Sequence, residues 1–188
     1  MNRASLRFVF GMFVFLVPFA TNGQDSRVAT QDVSLQVAGS ALLAVSGPAV
    51  TLKLSGAAEA GDAIAGSVEN SSTRLRITSM VGDKETRAIT AKISEALVGT
   101  QLYVELQEPN SNFVYPENKG TLKGQQLLDN ETDITLVEGI GICWSGKTEG
   151  DGYVIKYTYK AISKAPVLKG GTITITYTIS MVPSDTGV

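Results

Sequence analysis

The sequence predicts an all-β protein: a single antiparallel, Ig-like or pilin-like β-sandwich behind an N-terminal signal peptide. Two observations carry this. Apolar and polar residues alternate with a period of two in run after run, as half-buried strands require. Turn-forming clusters separate the runs at short intervals, and no stretch sustains a 3.6-residue apolar period. The third observation is the opening, MNRASLRFVFGMFVFLVPFATNGQ. Arg3 and Arg7 precede an apolar run from Phe8 to Val17, then Pro18, then small residues up to Gly23. This is the pattern of a secretory leader, residues 1–23, with Gln24 as the first mature residue. The apolar run is short of the about 20 residues that span a bilayer, and no later segment is long and apolar enough to do so. The expected locations are secreted, periplasmic or cell-surface.

The strands follow in chain order. DVSLQV places Val33, Leu35 and Val37 on one face, and AVTLKLSG does the same with Val50, Leu52 and Leu54. TRLRITSMV sets Leu75, Ile77 and Val81 against Arg74, Arg76 and Thr78. RAITAKIS offers Ile89, Ala91 and Ile93, and QLYVELQ offers Leu102, Val104 and Leu106. DITLVE adds Ile134 and Leu136, and GYVIKYTYKA aligns Tyr153, Ile155, Tyr157 and Tyr159. GTITITYTISM is the longest run: Ile173, Ile175, Tyr177, Ile179 and Met181 point one way and Thr172, Thr174, Thr176, Thr178 and Ser180 the other. SEALVG, residues 94–99, is at most one helical turn. No Pro- or Gly-rich linker and no repeat divides the chain, so one domain is expected over residues 31–183.

Composition narrows the function. The formal net charge is −2, and losing Arg3 and Arg7 with the leader makes the remainder more acidic. This argues against a nucleic-acid surface, which needs clustered Lys and Arg. The chain has no His and one Cys, Cys143. The commonest general base and metal ligand are therefore missing, as are His-based triads and thiolate metal sites. No catalytic residue, no metal and no cofactor is expected. A lone Cys is most simply a small buried hydrophobe.

GICWSGKT, residues 141–148, fits G-x-x-x-x-G-K-[ST]. A phosphate-binding loop needs a helix to begin at its Lys-Ser/Thr. Here Glu149-Gly150-Asp151-Gly152 and a β-type alternation follow instead, so no nucleotide is expected. Glu149 and Asp151 are too few carboxylates for calcium and read as a solvated turn. Asn70-Ser71-Ser72 and Asn130-Glu131-Thr132 satisfy the glycosylation sequon and otherwise read as surface turns. The tail VPSDTGV only partly matches a sortase signal. Phe113, Tyr115 and Trp144 lie in turn-rich stretches, where aromatics can stack on sugar rings or anchor a partner. They are the candidate partner or glycan contacts.

TLKLSGAAEAG, TRAITAKIS, EGIGICWSG, DGYVIKYTY and GGTITITYTI together resemble the segments of a group of small secreted β-sandwich proteins of Bacteroidota type. A more distant likeness is to pilin and spore-coat-type subunits, whose usual disulfide cysteines this chain lacks. The resemblance implies a secreted sandwich and no particular activity, so no catalytic residue carries over. The expected role is a non-catalytic structural or adhesive, adhesin-like component of a surface assembly, taking partners by β-strand addition. The alternative is a carbohydrate-binding module that meets surface glycans.

Overall fold

The computed structural model describes residues 33–35, 39–55, 59–60, 66–109, 112–162 and 165–182. The expected leader, Val37, and the tail from Pro183 lie outside these residues. The chain divides into two compact units, Met1–Leu35 and Gln36–Val188, and the sandwich is built in the second.

Ten strands are present among the described residues: β1 Ser40–Ser46, β2 Ser67–Met80, β3 Thr86–Ile93, β4 Thr100–Gln107, β5 Thr121–Leu122, β6 Gln126–Leu127, β7 Ile134–Ile140, β8 Cys143–Trp144, β9 Tyr153–Ala161 and β10 Ile175–Val182. One sheet runs β1-β2-β9-β4-β6, with β8 also on β2, and the other runs β10-β3-β7-β5. All pairings are antiparallel. The all-β sandwich expected from the alternation is the fold observed.

Facing follows the pleat. In β4, Thr100, Leu102, Val104 and Leu106 are buried while Gln101, Tyr103, Glu105 and Gln107 are only half-buried. In β2, Thr73, Leu75, Ile77 and Ser79 point inward. Leu75, Ile89, Val104, Val137, Tyr153 and Ile155 form the centre of the core, each with 0% exposure. Two bulges interrupt the ladders. In β7 the pairing shifts on either side of Ile89↔Val137, which lets Leu136 and Val137 both be buried. In β2 the shift falls between Asn70 and Thr73. There the Ser72 N–H and Oγ both donate to Asn70 Oδ1, at 3.0 and 2.8 Å, so an Asx turn satisfies the amide displaced from the ladder. The first sequon thus sits in a bulged strand, not a turn.

Other departures have physical causes. Residues 49–55 keep their alternation, with Val50, Leu52 and Leu54 half-buried, yet join no described strand. Residues 171–173 are likewise extended and join no described strand, while Thr174 meets Ser94 through its backbone N–H and C=O, so β10 begins at Ile175. Residues 33–35 belong to no strand. β1 was not legible as a strand, because Leu42 and Val45 are exposed while Leu43 packs inward, which breaks the alternation. Ile173, just before β10, and Ile175, Tyr177 and Ile179 within it do face the core. They are half-buried rather than enclosed because β10 is the last strand of its sheet.

Facing sets the cost of substitution. Ile155→Ala, at 0% exposure, is expected to cost about 2–5 kcal/mol. Thr176→Lys, on the exposed face of β10, should stay within about 0.5 kcal/mol. Urea melts of the two variants check this. A larger loss for Thr176→Lys would mean that the outer face of β10 is covered.

Candidate functional site

Two features stand out, one toward each end of β9. The first is aromatic. Cys143 and Ser145 are buried, each 0% exposed, and Trp144 between them points outward from the sheet opposite Thr78. Ser145 clamps this short strand: its N–H donates to Ile77 O at 3.0 Å, and its Oγ accepts from Ile77 N at 2.9 Å. Val114 bridges to Trp144 from the other side. Phe113 turns inward beside this bridge, and the left-handed backbone at Tyr115 carries Tyr115 outward. Phe113 is 6% exposed and packs on Tyr153 with ring centroids 5.5 Å apart. It is a core residue, and its expected role as a surface contact is corrected. Tyr115 adopts a left-handed backbone, φ 56°, ahead of the turn Pro116–Asn118. That conformation costs a non-glycine residue about 1–2 kcal/mol. It sets the Tyr115 ring edge-to-face on Trp144, centroids 5.3 Å apart, with Ile142 also exposed.

The loop after Trp144 explains the nucleotide-like motif. Asp151 is 2% exposed. Its carboxylate accepts from Thr148 N at 2.8 Å and from Asn112 Nδ2 at 2.7 Å. Gly146 has φ +87°, and a Cβ there would lie 2.4 Å from Asp151 Oδ2. The glycine loop therefore closes on an anion supplied by its own turn. The Asp151 carboxylate fills the inside of the turn, and β9 follows where a nucleotide loop has a helix. The reading of Glu149 and Asp151 as a solvated turn holds for exposed Glu149 and is corrected for Asp151, which staples the turn from inside.

The second feature was not foreseen. β1 stops at Ser46, opposite Arg74. Gly47 then turns the chain with φ +110°, so close to β2 that a Cβ would lie 2.8 Å from Ser72 O. Residues 49–55 leave β2 as an extended strap. On the other sheet, residues 170–173 are held at their flanks, by Lys169 N to Val98 O at 3.1 Å, Ser94 N to Thr174 O at 2.9 Å and Thr174 N to Ser94 Oγ at 3.0 Å. Between these two unpaired stretches lies an open cleft of about 920 Å³. Its walls include Leu52, Leu102, Ile173, Ile175, Tyr157 and Tyr177. Tyr177 donates a hydrogen bond to the Tyr157 hydroxyl at 3.0 Å, joining the two sheets, and Tyr159 donates to Thr100 Oγ1 at 3.1 Å. The Thr73 hydroxyl is buried here without a hydrogen-bond partner among the described residues. Lys53 and Lys169 lie on the lining, and among the described residues no carboxylate does. Strand alternation showed that these residues face inward. It carried no signal that they lack ladder partners.

Burial, and then neighbouring Tyr157, holds the Tyr177 phenol far above its ordinary range, so it stays neutral. Among the described residues, no group of three or more His, Cys, Asp or Glu could hold a metal ion, and no helix is long and apolar enough to cross a membrane. Compared with known protein families, curated proteins and solved structures, the chain finds no match.

Three buried acids are protonated in the folded state. Burial pushes the Cys143 thiol up to about 11 and raises the phenols of Tyr153 and Tyr177. Unfolded, these groups release their protons first, so the stability they hold is complete below about pH 9 and is lost as pH rises. The melting temperature is expected to fall from about pH 9 upward. With no His in the chain, no side chain of ordinary pKa adds a step between about pH 6 and 8. Thermal melts across pH 6–11 check this; a melting temperature that holds or rises above pH 9 would contradict it.

Proposed function

We propose that this chain is an exported, non-catalytic structural or adhesive component of a surface assembly, joined to its neighbours by strand addition. One observation carries the reading. β1 and β10 each end their sheet and pack against one another, and the cleft opens on that side between walls that are extended and unpaired. A sheet edge with free backbone groups beside an apolar slot is what an added strand requires: hydrogen bonds from the edge, and pockets for alternate side chains. The expected leader supports export. The apolar side chains on the lining support a binding role.

A second reading, a carbohydrate-binding module, rests on the half-exposed Tyr115–Trp144 pair. An edge-to-face pair is a less flat platform for a sugar ring than two coplanar rings, so the first reading is preferred.

Sedimentation velocity on the chain from Gln24 separates the two. Strand addition predicts species larger than the monomer that grow with concentration, unchanged by Trp144→Ala. A monomer at every concentration up to about 1 mM, where only contacts of about 4 kcal/mol or less go undetected, would overturn it. If Trp144→Ala then abolishes retention on immobilised polysaccharide, the second reading takes its place.

A further inference from the structure

We propose that the cleft is a binding site for a small amphipathic acid, one with a carboxylate head, an aliphatic body and a hydroxyl at its far end. The site goes beyond strand addition and does not rest on it, because it concerns what the free subunit holds. Every residue involved belongs to the unit Gln36–Val188.

The two ends of the cleft differ in chemistry. Thr73 lines the inner end, beside the Gly47 turn where β1 has parted from β2. It is 2% exposed, and its methyl lies beneath that turn. Its hydroxyl is buried with no hydrogen-bond partner among the described residues. Buried hydroxyls are normally satisfied, so an orphan on the wall of a cavity calls for a polar atom on the occupant. The other end is cationic. Lys169 is fixed there by its N–H bond to Val98 O at 3.1 Å, just ahead of Thr100. Lys53 stands on the strap well past the Gly47 turn. Both lysines are exposed on the lining, and among the described residues no carboxylate joins them. Apolar walls with charge of one sign focus their field on an incoming ion of the other sign. The head group that suits this end is an anion.

Hydrocarbon suits the stretch between. Leu52, Leu102, Ile173 and Ile175 line it. The Tyr157 and Tyr159 hydroxyls are already engaged, with Tyr177 and with Thr100. The length follows from β9. Thr73 pairs with Ile155, and Tyr159 reaches Thr100 beside the anchor of Lys169. Ile155 to Tyr159 is four residues of strand, about 13 Å. The body therefore spans about that distance between its hydroxyl and its head. A cleft of about 920 Å³ lies within the range for small-molecule sites, which share this design of apolar walls and a few placed polar groups.

The test is calorimetric titration of ω-hydroxydodecanoate, whose extended chain matches this length, into dilute monomer first passed over a lipid-removing resin. Dodecanoate lacks the far hydroxyl, and dodecanediol lacks the charge. The hydroxy acid is expected to bind at one site. It should bind about three- to tenfold tighter than dodecanoate, the scale of one hydrogen bond, and about twofold or more tighter than the diol, the scale of exposed charge pairs. Thr73→Val keeps the shape and removes the hydroxyl. It should erase the preference over dodecanoate, leave dodecanoate binding as before and not lower the melting temperature. The double variant Lys53→Gln, Lys169→Gln should erase the preference over the diol, with the melt unchanged. Absence of binding up to about 1 mM would overturn the proposal, as would equal affinity for the three compounds. Either preference surviving its own variant would also overturn it, because the ligand would then sit elsewhere, the Tyr115–Trp144 surface included. Titration of monomer reads this site whether or not the chain assembles, so its failure and that of strand addition are distinguishable.

Discussion

The point at which β1 parts from β2 governs the rest of the molecule. From Ser40 to Ser46 the two strands share an unbroken register. At Gly47 the chain must turn under the backbone of Ser72 and Thr73, and β2 bulges at the same level. Beyond that point the inward-facing rows of the two sheets are still apolar, but among the described residues no strand closes one side of the sandwich. Around β2, β9, β4, β3 and β7 the core is complete, with side chains fully buried. Around β10 and the strap the same kinds of residue are only half-buried. The cleft is thus the unfinished side of an otherwise ordinary hydrophobic core, and its apolar lining is an energetic liability in water until something covers it.

The alternation legible in the sequence reports facing, and facing was read well. Leu75, Ile77, Ile89, Leu102, Val104 and Ile155 all sit in the core where their spacing puts them. Pairing is another matter, because it depends on partners distant in sequence. Val50, Leu52 and Leu54 have the same pattern as Leu102, Val104 and Leu106, yet only the latter lie in a ladder. The converse failure is β1, whose Leu42 and Leu43 occupy opposite faces. A strand at a sheet edge beside an open cleft is under no pressure to alternate. Of the candidate contacts, Tyr115 and Trp144 are brought together at the surface and Phe113 is carried inside. The two-residue offset from Phe113 to Tyr115 would keep both on one face of a regular strand. The left-handed turn at Tyr115 breaks that rule, and nothing in the local sequence announces it.

The glycine loop illustrates how a motif can be met in form and emptied of function. Gly146 leaves room for a carboxylate that a Cβ would displace, and that carboxylate is Asp151's, five residues along the same chain. Thr148 gives its backbone N–H to it, and Arg76 donates to the carbonyl of Lys147. The loop is thereby locked against the outer face of β2 as a structural corner, and it fixes the Trp144 segment that precedes it.

Among the described residues, β10 presents an unpaired outer edge beside an open cleft. Residue-resolved hydrogen exchange on dilute monomer reads this directly. In an antiparallel edge strand, alternate N–H groups point to the partner and to solvent. The account predicts that in β10 every second amide exchanges fast while those bonded to β3 are protected, and that β9, flanked on both sides, is protected throughout. Uniform protection of all β10 amides in the monomer would show that another part of the same chain already covers the edge, and would contradict the account.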